Sequence, residues 1–167
     1  MTVRPARPDD ESALLALDRA TWSPLSPSSE PSPGPFFNER TSVDDVLVAV
    51  DDGRIVGWAK MHHPTPLPAS EHVWHVTGLA VEGASEGQGV GRALMEALAD
   101  EARRRGGRRM TLRVFAPNER ARRLYERLGF QLEGVLRGEF RVGDAYVDDL
   151  FMALDLLDYP RQRTGRP

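Results

Sequence analysis

One junction constrains this chain more than any other. Val73 to Val81 is a run of strand-forming residues, and a glycine-rich stretch follows it, Glu86-Gly87-Gln88-Gly89-Val90-Gly91-Arg92-Ala93. From Gly89 to Arg105 the apolar positions Val90, Ala93, Leu94, Ala97, Leu98 and Ala102 recur at the spacing of one helix face. The first run is apolar on both sides, with Val73, Thr77, Leu79 and Val81 expected on one face and Trp74, Val76 and Ala80 on the other. A strand apolar on both faces belongs in the middle of a sheet. A glycine-rich turn between a central strand and a helix directs several backbone N–H groups and the positive end of the helix dipole at one point. That is a phosphate seat. Gly87, Gly89 and Gly91 let the backbone approach a ligand closely, and Arg92 can add a charge.

Common nucleotide patterns do not describe this turn. The Gly-Lys-Ser/Thr ending of a P-loop is missing. A dinucleotide fingerprint counted from Gly87 requires glycine where Arg92 stands, and it normally occupies a first βα unit, whereas this turn lies mid-chain.

The remaining elements follow from periodicity and punctuation. Val3–Pro5 reads as an edge strand. Asp9, Asp10 and Glu11 then open a helix to about Ala20, with Ala13, Leu14 and Leu17 as its apolar face. Trp22 to Phe37 is too rich in Pro and Ser for regular structure. Its aromatics Trp22, Phe36 and Phe37 favour a packed lid that walls a substrate site. Val46–Val50 and Ile55–Met61 form a hairpin about Asp51-Asp52-Gly53. Met110, Leu112 and Val114 alternate as a strand. A helix opened by Pro117-Asn118 carries Ala121, Leu124, Tyr125 and Leu128, and Gly129 ends it. Gln131–Val142 and Tyr146–Leu154 make a last hairpin about Gly143-Asp144. The order βα, β-hairpin, βαβα, β-hairpin predicts a mixed α/β sheet in one domain over residues 1–158, with a disordered tail over 159–167.

A second block, Asn118-Glu119-Arg120-Ala121-Arg122-Arg123-Leu124-Tyr125-Glu126-Arg127-Leu128-Gly129-Phe130, stands downstream of the glycine turn. The pair of blocks, in this order, resembles the GNAT (general N-acetyltransferase) superfamily. The first is similar to its coenzyme A signature, the second to its common segment of Asn, Tyr seven residues on, and Gly-Phe. One departure is that Glu86 occupies the place of the family's Arg or Gln. The resemblance implies a GNAT-like fold, a mixed and mostly antiparallel sheet of about seven strands with helices on both faces. It implies acetyl-CoA as co-substrate, and transfer of acetyl to a primary amine by direct attack in a ternary complex.

By that resemblance, N–H groups from Gln88 to Ala93 hold the diphosphate. Main-chain groups of Leu79 and Val81 hold the pantetheine arm as an added strand would. Asn118 is either a coenzyme contact or a helix N-cap. Tyr125 is either the acid that protonates the departing thiolate or a core residue. Candidate bases on or next to the central strand are His75, His72, Glu71 and Glu82; His75 leads, by a pKa near ~6.5, or is a packed strand histidine. The acceptor is expected to be a small-molecule amine or an amino acid. A protein N-terminus and a silent acyl-CoA-binding domain are the alternatives. Asp44, Asp45, Asp148 and Asp149 could draw a basic acceptor.

Several classes are disfavoured. Net charge is −3, and the arginine cluster Arg103–Arg105 with Arg108 and Arg109 has no aromatic platform, so no nucleic-acid partner is expected. His62 and His63 are adjacent on a strand and point apart, so no metal is expected. No apolar run has membrane-span length, and no secretory leader is read at Met1. The absence of cysteine fits a reducing cytoplasm, and a homodimer is allowed.

Overall fold

The computed structural model describes residues 1–25, 31 and 34–157. The expected tail over 159–167 and the middle of the Pro/Ser loop lie outside the described residues.

Seven strands form one sheet. In chain order the elements are β1 (Thr2–Pro5), α1 (Glu11–Thr21), β2 (Val46–Asp51), β3 (Arg54–His62), β4 (Val73–Val81), α2 (Val90–Arg104), β5 (Arg109–Phe115), α3 (Glu119–Arg127), β6 (Gln131–Val142) and β7 (Ala145–Asp155). Their order across the sheet is β1-β2-β3-β4-β5-β7-β6, and every neighbouring pair is antiparallel except β4 and β5. The mixed, mostly antiparallel sheet expected from the sequence is therefore present.

Helices cover both faces. On one, α2 and α3 bury Leu94, Leu98, Ala102, Tyr125 and Leu128 against Met110, Leu112 and Val114 of β5. On the other, α1 buries Leu14 and Leu17 against Val46, Val48 and Trp58. A 3-10 turn at Pro8–Asp10 precedes α1, and the buried Asp10 accepts from the Arg7 N–H (2.8 Å) and from Arg4 Nη1 and Nη2 (2.7 and 2.9 Å). The acids expected to charge a helix start are thus divided, with Asp10 tying β1 to the turn.

The face assignment of β4 needs a correction. Lys60 pairs with Gly78 but the next residue, Met61, pairs with Val76, so Thr77 is an extra residue in β4, a β-bulge. A bulge reverses the alternation of all that follows. Trp74 and Val76 before it, and Leu79 and Val81 after it, all pack toward α2 and α3, whereas Ala80 packs toward α1.

The parallel pairing of β4 and β5 is short, running from Val73 opposite Arg109 to Val76 opposite Leu112. Beyond the bulge, β4 stays with β3 as far as Val81. β5 stays with β7 as far as Phe115. The two central strands therefore splay apart and leave a wedge in the middle of the sheet.

Candidate active site

The wedge opens into a cavity of about 770 Å³. Thr77, Gly78, Leu79, Ala80 and Val81 of β4 line one side, and Arg113 and Val114 of β5 the other. The backbone groups along these two edges have no ladder partner across the gap, so an extended ligand can take them up as an added strand. Leu79 and Val81, the residues expected to hold the pantetheine arm, lie on that edge.

At one end the cavity reaches the glycine turn, and Glu86, Gly87, Gly89, Val90, Gly91 and Arg92 all line it. Gly87 and Gly89 have φ of +76° and +85°, left-handed values that glycine reaches without the Cβ penalty. Gly89 is the N-cap of α2. The first turn of a helix has N–H groups with no carbonyl to receive them, and Val90 and Gly91 of that turn line this end. Gly91 also permits close packing of α2 on α3, since a Cβ there would lie 3.3 Å from Leu124.

Two residues of the expected phosphate seat do not line the cavity. The Ala93 N–H donates to the Gly89 carbonyl (2.9 Å) in the first helical bond, and Ala93 lines a separate hollow with Met1 and Val3. Gln88 folds back so that Nε2 donates to the Ala84 carbonyl (2.9 Å), outside the cavity wall. Glu86, the departure from the family pattern, forms an ion pair with Arg120 of α3. Both residues line the cavity, and the guanidinium offsets the charge of the carboxylate beside the turn.

α3 supplies the opposite wall through Asn118, Ala121, Leu124 and Tyr125. Asn118 is an N-cap, its Oδ1 accepting from the Ala121 N–H (3.2 Å), and it also lines the cavity. The N-cap role is present, and the residue also faces the cavity. Tyr125 lies on the buried face of α3 against Phe130, with ring centroids 5.8 Å apart. Burial pushes its phenol up to about 12. It is thus fully protonated at neutral pH, the form a proton donor needs.

His75 sits on the α1 face of the wedge. Its Nδ1 is 2.8 Å from Thr111 Oγ1, and its ring stacks on Phe151 at 6.3 Å. Burial first, then the nearby His62 and Arg113, lowers its pKa from 6.5 to about 4. The expected value near neutrality is not kept. The imidazole is neutral at physiological pH but a much weaker base than the sequence suggests.

The aromatics expected to wall the substrate site pack elsewhere. Phe36 is 6% exposed and stacks edge-on against Trp58 at 5.2 Å. The Glu11 carboxylate accepts the N–H groups of Phe36 (2.5 Å) and Phe37 (3.1 Å). Neither ring lines the cavity, because both serve the core under α1. Trp22 caps the end of α1 and is also off the wall, whereas its neighbours Thr21 and Ser23 are on it.

Sequence reasoning missed Arg113. It projects from β5 on the α1 face, lines the cavity, and lies 5.5 Å from the Phe140 ring. Its Nε donates to Asp149 of β7, a carboxylate only 1% exposed. Three of the four acids considered as lures for a basic acceptor are otherwise engaged. Asp149 lies under Arg113, Asp45 pairs with Arg105 (3.3 Å), and Asp148 accepts from the Gly138 N–H (2.8 Å). His62 and His63 do diverge. The His63 ring lies on Trp74 (4.0 Å), and the His62 ring faces His75 (6.3 Å). No helix among the described residues is long and apolar enough to cross a membrane.

Known proteins share this architecture. The protein smu.2055 from Streptococcus mutans UA159 superposes with a TM-score of 0.80 at 28% identity, over 93% of this chain and 99% of that one. The [ribosomal protein bS18]-alanine N-acetyltransferase of Escherichia coli K12 is 40% identical over 78 residues, which are 47% of this chain and 53% of that protein. The chain thus spans about half the length of that relative. The N-alpha-acetyltransferase RimI of Mycobacterium tuberculosis is 36% identical over 117 residues, 68% of this chain and 71% of that protein. The sequence profile of the acetyltransferase (GNAT) family matches residues 12–130. With that match covering four of the seven strands and both sequence blocks, the chain belongs to the acetyltransferase (GNAT) family.

Proposed function

We propose that the protein transfers an acetyl group from acetyl-CoA to a primary amine by direct attack in a ternary complex. The observation that carries this reading is the wedge between β4 and β5, which runs from the glycine turn of α2 to Tyr125.

A coenzyme fits that path in three parts. Its diphosphate meets the N–H groups of Val90 and Gly91 at the positive end of α2. Its pantetheine arm takes the β4 edge at Leu79 and Val81 as an added strand. Its thioester then lies between the β4 edge and Tyr125. The neutral amine attacks the carbonyl carbon, a C–N bond forms, and an N–H group near Val81 stabilises the oxyanion. The C–S bond breaks, the Tyr125 hydroxyl gives its proton to the sulfur, and solvent returns a proton to the phenolate. The amine's own excess proton leaves to solvent, because His75 at about 4 is too weak a base to hold it at neutral pH.

The proposed acceptor is a small-molecule amine or amino acid. A second reading, a protein N-terminus, is favoured by the activities for which the Escherichia coli and Mycobacterium tuberculosis relatives are named. Thiol release from acetyl-CoA is the test, measured with an amine panel that includes N-terminal peptides, with products read by mass spectrometry. Amine-dependent release supports the proposal. Tight acetyl-CoA binding with no release against any amine would make the protein an acyl-CoA-binding module instead.

A further inference from the structure

We infer that the acceptor carries a carboxylate next to its amine, and that Arg113 is the residue that receives it. The inference rests on the acetyl-transfer reading above and assigns its substrate class.

The α2 and α3 side of the wedge is taken by the glycine turn and Tyr125, so an acceptor reaches the thioester from the α1 side. β5 alternates, with Met110, Leu112 and Val114 buried toward α2 and α3 and Thr111 and Arg113 on the α1 side. Arg113 is the first residue of β5 beyond the last one paired with β4, so its side chain stands at the point where the wedge opens. A cation there opposes an incoming ammonium and attracts a carboxylate.

The guanidinium is held in place. Nε donates to Asp149 Oδ2, Nη2 lies against the same oxygen, and Glu139 is 3.9 Å away. Phe140 packs against the group at 5.5 Å. Among the described residues no side chain engages Nη1. Asp149 is a costly support. Its side chain is 99% removed from solvent, its Oδ1 has no hydrogen-bond partner, and burial raises its pKa against the pull of Arg113. Burying a carboxylate so incompletely satisfied brings little stability, but it fixes the Nε and Nη2 edge of Arg113 and leaves Nη1 as the donor for a ligand in the cavity, where a carboxylate makes a charge-assisted hydrogen bond.

A second cation lies on the same face. Lys60 of β3, opposite Gly78 of β4, is mostly buried beside the rings of Phe36 and Trp58. Asp149 and Glu139 accompany Arg113 and Asp18 of α1 acts on Lys60, and none of these acids lines the cavity. Engaging the acceptor's carboxylate with Arg113 also serves the chemistry. An α-carboxylate favours the charged form of its neighbouring ammonium, and pairing it elsewhere releases more neutral amine for attack. A peptide N-terminus has an amide where a free amino acid has this carboxylate, so Arg113 separates the two acceptor classes.

The test compares the proteinogenic L-amino acids with their carboxamides and with N-terminal peptides. Binding to the protein loaded with coenzyme A is read by calorimetry, and thiol release from acetyl-CoA is read separately. At least one free acid should be preferred over its carboxamide by about tenfold or more, chiefly in Kd and KM. Arg113→Gln should bring acid and amide within about twofold while leaving acetyl-CoA affinity unchanged. Arg113→Gln combined with Asp149→Asn removes the buried charge that the single variant would strand, and should lose the preference in the same way. Equal use of acid and amide, preference for peptides, no binding of any free acid, or a preference that survives both variants overturns the inference. The binding measurement decides the matter even if no turnover is seen, so failure here is distinct from failure of the acetyl-transfer proposal.

Discussion

His75 makes acid stability a quantitative probe of the wedge. Its folded pKa is about 4 against 6.5 in the unfolded chain. Between those values the unfolded state takes up a proton that the folded state refuses, so its contribution to stability is present above 6.5 and is lost as pH falls toward 4. From pH 7 to pH 5 the linkage amounts to about 1.8 kcal/mol. The residue is only partly buried, and screening reduces this to about 1 kcal/mol. Replacing His75 with Gln removes the titration and keeps a side chain able to meet Thr111. Urea unfolding of both proteins at pH 7 and pH 5 isolates the effect, because the other titrating groups are common to both. The loss of stability on acidification should be about 1 kcal/mol smaller in His75→Gln. Equal losses would show that the imidazole is not desolvated as described, and would return it to the list of candidate bases.

Two further substitutions probe the chemistry and the packing. Tyr125→Phe should lower kcat by about 100-fold with acetyl-CoA affinity changed by less than about twofold, and an unchanged kcat would remove Tyr125 from the mechanism. Gly107→Ala places a Cβ 2.5 Å from Trp74 Cδ1 and 2.7 Å from the Ala102 carbonyl. That overpacking should cost about 1–3 kcal/mol and lower Tm by several degrees, with thermal unfolding as the check.

Much of this was legible in the residues because local and global signals agree. The helical stripe of α2, the turn glycines and the alternation of β5 each report a local period, and the paired blocks fixed the ligand class. What was hidden is non-local. The Thr77 bulge leaves no mark on composition, yet it reverses the faces of Leu79 and Val81. Phe36 and Phe37 read as a lid because aromatics in a Pro-rich loop look the same whether they cover a ligand or a helix, and only the bonds from Glu11 decide it. The lowered pKa of His75 depends on burial by distant strands. Arg113 was one of many arginines, and nothing near it in sequence announced Asp149, 36 residues away, as its support.

The central claim is that the turn at the head of α2 seats the coenzyme's phosphates, and calorimetric titration of acetyl-CoA into Gly89→Asp tests it most directly. A Cβ at Gly89 meets no atom within 4 Å, and Asp tolerates the +85° φ better than most residues, so the fold should survive and circular dichroism should match the parent. The new carboxylate would stand in the anion seat. The account predicts a loss of acetyl-CoA affinity of about 100-fold or more in a folded protein. Parental affinity in that folded variant would contradict it and place the coenzyme elsewhere.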